Sequence, residues 1–345
     1  MKPTVHTLRN EAGLVLKAST LGGVVTSLLV PDRDGKSGDV LLGYPKVEQN
    51  LDHGYMNALI GRVGNRISRG GFDLDGTFYT LAKNSGAGKR ACHLHGGARG
   101  FDRHVWNARE FAGADGPSLE LTTFSPDGEE GYPGNLAVRV VYTLTNDNAW
   151  RIEYWAVTDK PTVVNLTQHA YFNLSAGKRD VGGHVLRVLA SRFTEVDAAL
   201  LPTGRVPSVE GTALDLREPT LLGPVFARAK KDPQLKIVGG GFDHNFVLDR
   251  PDGAGLEPVA EFSDPESGRR MAVYTTEPCM QVYSGNFLTP EPKGKGGTAY
   301  GPHWACCFET QHAPDSPNHA GFAPIRLDPG SVYHPVTEYL FDTVD

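Results

Sequence analysis

At 345 residues the chain is long enough to bury a sizeable core, and all-β domains of this length are common. Its formal charge of −6 comes from 34 basic and 40 acidic residues with no run of five or six like charges, which argues against nucleic acid or an anionic membrane as partner. No stretch approaches the roughly 20 apolar residues of a bilayer span, and the opening "MKPTVHTLRNEAGL" has no apolar segment behind its Lys, so a soluble, cytoplasmic protein is expected.

In chain order, the runs that read as strands are "VVTSLLV" (24–30), "LAVRVVYTL" (136–144), "WRIEYWAV" (150–157), "HVLRVLA" (184–190), "DHNFVL" (243–248), "RMAVYTT" (270–276), "MQVYSGNFL" (280–288) and "VYHPVTEYLF" (332–341). They are rich in Val, Tyr, Phe and Thr and are bounded by Gly, Pro, Asp and Asn. The best helical candidate, "TLLGPVFARAKKD", is short and interrupted by Gly223 and Pro224. With 41 Gly and 24 Pro for turns, no repeat period and no composition shift, the pattern predicts an all-β chain: one large antiparallel β-sandwich, a single domain over 1–345. The glycine-rich stretches "GGGFD" (239–243) and "PKGKGGTAYG" (292–301) are expected to be mobile loops. Cys92, Cys279, Cys306 and Cys307 form no CxxC and read as reduced, buried thiols.

Four places carry residues with chemical use. "GRVGNRISRGGF" (61–72) sets Arg62, Asn65 and Arg66 in a glycine-rich turn, suited either to a polyhydroxylated or anionic ligand or to bracing a loop. In "RACHLHGGARGFDRHVWN" (90–107), His93 and His95 share a side if the segment is extended, a weak metal signal that lacks a third ligand. "NLTQHAYFNLSAG" (165–177) puts Gln168, Ala170 and Phe172 on one face and Thr167, His169, Tyr171 and Asn173 on the other. His169 is there either a satisfied core histidine or a functional one. In "CCFETQHAPDSPNHAG" (306–321), Glu309 ends an apolar run, where desolvation raises its pKa and favours proton acceptance near neutrality, unless it faces solvent.

Taken together, "ALIGRVGNRI", "HLHGGARGFDRHVW", "NLTQHAYFNL", "DHNFVLD", "QVYSGNFL" and "FETQHAPDSPN", in this order between residues 58 and 318, closely resemble the aldose 1-epimerases (galactose mutarotases). The resemblance implies a galactose mutarotase-like β-sandwich with an open sugar cleft. It implies an isomerase of hexose metabolism that interconverts the anomers of free aldoses such as glucose and galactose, with no cofactor and no metal. It makes His169 the general acid and Glu309 the general base, and Asn65, Arg66, His95, Asp243 and Gln281 the sugar-binding residues. A monomer or homodimer acting on a small-molecule aldose is the expected form. Gly64 and Gln168 stand where many members have Ala and Asn, without loss of a needed group.

The chemistry is consistent with that set. Anomer exchange needs a proton to leave the C1 hydroxyl while another reaches the ring oxygen, so a carboxylate and an imidazolium are expected to face each other across the pyranose. A non-catalytic sugar-binding sandwich would not need both His169 and Glu309. A glycoside hydrolase would want a second carboxylate, for which only Asp243 is at hand. An epimerase of phosphorylated hexoses would want a basic cluster, and Arg62, Arg66 and Arg69 form no pattern that demands it.

Overall fold

The structure, a computed structural model, describes residues 2–251 and 253–344. Its largest element is a nine-stranded antiparallel sheet, in the order Asn107–Ala112, Pro117–Ser125, Leu136–Leu144, Ala149–Thr158, Val336–Thr343, Arg269–Thr275, Glu257–Ser263, Val185–Val188 and Thr220–Leu221. Alternate residues such as Val138, Val140 and Tyr142, or Ile152 and Tyr154, point to one side and are buried there. Against that side lie two smaller antiparallel sheets of four strands each. One is a meander of Val5–Arg9, Val15–Ser19, Val25–Pro31 and Ser37–Asp39, and the other runs Arg192–Phe193, Asp243–Val247, Cys279–Tyr283, Cys307–Gln311. One continuous apolar core, including Leu16, Leu28, Tyr142, Phe246, Val282 and Phe308, joins all three. The all-β sandwich expected from the sequence is therefore the observed fold.

The second small sheet has two different faces. His244, Phe246, Met280, Val282 and Phe308 point into the core, so the residues between them, Asp243, Asn245, Gln281, Tyr283, Cys307 and Glu309, are turned to the other side. Asn245, Gln281, Tyr283, Cys307 and Glu309 are buried as well and Asp243 partly so, because loops from elsewhere in the chain build walls above them.

Several local expectations change. The helix expected near 220–232 forms as Leu222–Arg228 despite Gly223 and Pro224, because Pro224 falls in the first turn, where its missing N–H has no intrahelical partner to lose. The strand expected over 280–288 stops at Tyr283, and Gly285, at φ +65°, turns the chain out of the sheet. Both glycine-rich stretches are tied down. In the first, Gly240 N–H donates to Leu235 O at 2.8 Å, and any side chain at Gly241 would meet Asn286 and Ser284. In the second, the Lys295 ammonium donates to Asp39 and to Leu41 O, each at 2.9 Å. All four cysteines are free and buried, as expected. Among the described residues, no helix is long and apolar enough to cross a membrane.

Arg62 resolves to a brace. It is 2% exposed, and its guanidinium donates to Ser125 Oγ and to the carbonyls of Ser125, Pro126, Pro133 and Gly134, at 2.8 to 3.0 Å. Burial lowers its pKa to about 10, still well above neutrality. Arg62→Leu strands several buried acceptors, each worth about 1 to 3 kcal/mol. It is expected to shift the denaturant midpoint strongly downward while KM for sugar stays unchanged. A raised KM at unaltered stability would instead place Arg62 on the ligand.

Candidate active site

The floor of the site is set by strand register. Gln281 pairs with Asn245 on one side and with Glu309 on the other, so the three side chains form a row on one face of the sheet. Asp243, Tyr283 and Cys307 make the next row. Gln281 Nε2 donates to Asp243 Oδ1 at 2.7 Å, which fixes the amide and occupies one carboxylate oxygen. Glu309 is 2% exposed, and its Oε2 has no partner within the protein. Burial first, then the nearby Asp243 charge, push its pKa well above the usual carboxylate range, with Arg66 opposing. Its place mid-strand, rather than at a strand end facing solvent, follows from Cys307–Gln311 continuing past it.

His169 comes from the wall. Its backbone N–H donates to Ala58 O and its carbonyl accepts from Asn57 N–H, just beyond the short strand Thr167–Gln168. The alternation read from the sequence holds here: Ala170 and Phe172 enter the core, while the His169 and Tyr171 rings lie parallel, 5.0 Å apart, facing the cleft. Tyr171 is itself anchored by its hydroxyl, which donates to Gly54 O at 2.8 Å. His169 Nε2 stands 3.6 Å from Glu309 Oε1, too far for a hydrogen bond between them and close enough to act on one small substrate. Burial lowers the His169 pKa to about 4. Proximity alone suggests an ion pair, but burial penalises the charged form of both groups.

His95 and Asn65 hold each other. His95, at φ +51°, and Asn65, at φ +59°, both adopt left-handed backbone, and His95 N–H donates to Asn65 O while Asn65 N–H donates to His95 Nδ1. Because Nδ1 accepts, the neutral ring carries its proton on Nε2 and is a donor there. Burial, with His169 and Arg66 nearby, keeps its pKa well below the ordinary imidazole value. Asn65 Oδ1 also accepts from Arg66 N–H, and Arg66 pairs with Leu94 across a two-residue ladder that sets its side chain beside Asp243 and Glu309.

The same backbone geometry corrects the His93 and His95 pairing. The ladder ends at Leu94, and His95 turns left-handed, so period-2 alternation no longer applies. His93 is fully buried, with Nδ1 2.7 Å from Ala82 O and Nε2 2.7 Å from the Tyr132 hydroxyl. It is a core histidine. Arg69 points to Asn318 at 3.5 Å, so of the three arginines considered only Arg66 lines the cleft.

All seven sequence-predicted residues are thus brought to one place. A cleft of about 180 Å³ is lined by Asn65, Arg66, His95, His169, Asp243 and Glu309, with Gln281 beneath Asp243. Sequence reasoning missed its aromatic lining. Tyr55 packs on His95 with ring centres 4.7 Å apart, and Phe287, 56% exposed, sits at the mouth beside Tyr283. Gly285 after a strand was the available signal for Phe287, since a turn there moves the following aromatic off the sheet. One ring nitrogen each from His95 and His169 and one Glu309 oxygen lie within 4.8 Å of one another, a donor set that also suits a divalent metal.

Buried polar atoms without partners gather here: Glu309 Oε2, His169 Nδ1, Gln281 Oε1 and Arg66 Nε. A polyhydroxylated ligand supplies what such atoms lack. The aldose 1-epimerase family model matches residues 4–340. Galactose mutarotase of Sus scrofa is 42% identical over 322 residues, covering 93% of this chain and 89% of that protein. Aldose 1-epimerase of Escherichia coli (strain K12) is 36% identical over 338 residues, 97% of this chain and 94% of that one. Among solved structures, a GalM/aldose epimerase homologue from C. elegans matches with a TM-score of 0.89 at 28% identity over 100% of both chains. With the family model spanning nearly all of its length, the chain belongs to the aldose 1-epimerase family.

Proposed function

We propose that Glu309 and His169 are the proton-transfer pair with which this isomerase interconverts the α and β anomers of free aldoses such as galactose and glucose. The observation that carries the assignment is the 3.6 Å between His169 Nε2 and Glu309 Oε1 in a cleft where His95 and Asp243 are already held by hydrogen bonds. That separation revises the arrangement expected from sequence. The C1 hydroxyl and the ring oxygen are bonded to the same carbon, so a base and an acid lying side by side reach both, and they need not stand across the ring.

In the reaction, Glu309 takes the C1 hydroxyl proton as His169 gives one to the ring oxygen, and the C1–O5 bond breaks to leave an open-chain aldehyde. Rotation about C1–C2 presents the opposite carbonyl face, and closure runs the transfers backward. The pair holds one proton between its two members throughout. With the ring closed the proton sits on His169, and with the ring open it sits on Glu309. Burial favours the second arrangement, so the site is electrostatically matched to the ring-opened stage. The His95 Nε2–H and the Arg66 guanidinium donate to oxygens on which charge develops. Asp243, held by Gln281, keeps an oxygen for sugar hydroxyls, and Asn65 holds His95 in its donor tautomer. Phe287 and Tyr55 offer apolar surface to the sugar carbons.

The reading of residues 1–345 as one domain is supported by the family model over 4–340. A cytoplasmic monomer or homodimer is our reading from the interspersed charge and the four buried, unpaired thiols.

Glu309→Gln and His169→Asn are each expected to lower kcat by about 10² to 10⁴, the span general acid–base catalysis supplies. Polarimetry of fresh α-galactose, corrected for the spontaneous rate, reads this. A Glu309→Gln enzyme at wild-type turnover would end the assignment.

The pH profile follows from the shared proton. At low pH His169 gains a second proton for the pair, and activity falls through about 4. At high pH the shared proton leaves, and activity falls through the raised value of Glu309. The expected kcat/KM curve is a broad bell whose acid limb belongs to the pair's second protonation. An acid limb centred near the ordinary imidazole value of about 6.5 would contradict a desolvated His169.

Since the proton transfers require only these side chains, dialysis against a strong chelator is expected to leave turnover unchanged. Loss of activity restored by zinc or manganese would assign the His95, His169 and Glu309 cluster to a metal instead.

A further inference from the structure

Beyond the end of the catalytic strands, where Cys279 pairs with Gln311, is a second cluster of ionisable groups that the mechanism does not use. Glu277, 3% exposed, lies in the bend between Arg269–Thr275 and Cys279–Tyr283. His312 Nδ1 donates to its Oε2 at 2.7 Å, and the Tyr333 hydroxyl stands 3.5 Å from its Oε1. Burial pulls the His312 pKa down, but the hydrogen bond and charge of Glu277 outweigh it and hold the imidazole above its ordinary value. The cluster forms part of the wall of a surface cleft of about 430 Å³, separate from the sugar cleft.

Each member is tied to a segment that carries a site residue. Glu277 stands four positions before Gln281. His312 follows Glu309 by three, directly after its strand ends at Gln311. His312 N–H donates to Asn165 Oδ1 at 3.0 Å and Asn165 Nδ2 donates to His312 O at 3.2 Å, while Leu166 N–H donates to the Tyr333 hydroxyl at 2.9 Å. Asn165 and Leu166 lead directly into His169. The strand of the base, the segment of the acid and the strand of the sugar-binding amide therefore meet at one half-buried ionic node.

We infer that the Glu277–His312 pair, with Tyr333 and Asn165, is a positioning brace that holds Glu309 and His169 at their working separation. The inference rests on the assignment of those two as the proton-transfer pair. A small slip between the segments moves acid and base relative to two oxygens on one carbon, and such misplacement lowers the rate of the chemical step without weakening sugar binding in proportion.

The test compares His312→Leu, His312→Asn and Tyr333→Phe with Glu309→Gln, each checked for folding by circular dichroism and its thermal midpoint. Leu removes the donor to Glu277, whereas the Asn amide places a nitrogen where Nδ1 was. His312→Leu is expected to lose about tenfold to hundredfold in kcat with KM little changed. His312→Asn should recover most of that loss, and Tyr333→Phe, which removes only one hydroxyl, should lower kcat in the same direction and serves if the Leu variant does not fold. Folded Leu and Phe variants at wild-type kcat, with Glu309→Gln inactive, would overturn the brace alone. Equal losses in the Leu and Asn variants would also overturn it, since the hydrogen bond would then not be the cause. A fully active Glu309→Gln enzyme would instead remove the assignment on which the brace rests.

Discussion

The molecule depends on one constraint: in a β-strand, successive side chains leave on opposite faces. In Asp243–Val247, Cys279–Tyr283 and Cys307–Gln311, that alternation places the core on one side of a single sheet thickness and the candidate site on the other. Phe246, Met280, Val282 and Phe308 are gripped by the large sheet, so Asp243, Gln281 and Glu309 have no freedom to drift. Stability and chemistry are separated by one residue along the chain. A register slip of one position would send Glu309 into the hydrocarbon core and Phe308 into the cleft.

Placing charges on that face would be costly if each stood alone. The proposed mechanism avoids the cost by never requiring a net charge on the central pair, since Glu309 and His169 share one proton while their sum stays neutral. Fixed hydrogen bonds do the rest. Asn65 sets the tautomer of His95, Gln281 sets the orientation of Asp243, and the Tyr171 ring, anchored at Gly54, lies flat against His169. These groups are in place before a sugar arrives, which is where an enzyme of this kind gains most of its advantage over water.

Much of this was legible in the sequence. Strand alternation gave the core and cleft faces around His169, and separated motifs pointed to the family and to seven residues that the fold gathers around one cleft. Part of what escaped has its physical origin in backbone that leaves the strand region. His95 at φ +51° breaks the parity that paired it with His93, and Gly285 at φ +65° ends a strand that composition carried on to Leu288. Arg62 was ambiguous because a guanidinium serves a carbonyl cage as readily as a ligand, and only three-dimensional closure of residues 125–134 around it decides. The meeting of Glu277 with His312 joins residues 35 positions apart through no motif at all.

The shared proton bears on how the cleft meets solvent. In the proposed mechanism ring opening moves it from imidazole to carboxylate, and ring closure on the other face moves it back, so the pair ends each cycle as it began. No proton has to be fetched from or released to bulk water between one sugar and the next. Deep burial, which in most acid–base enzymes would slow the resetting of the catalytic groups, therefore carries no kinetic penalty here. In the proposed cycle the exchange with solution is that of sugar, which passes the exposed Phe287 at the mouth of the cleft.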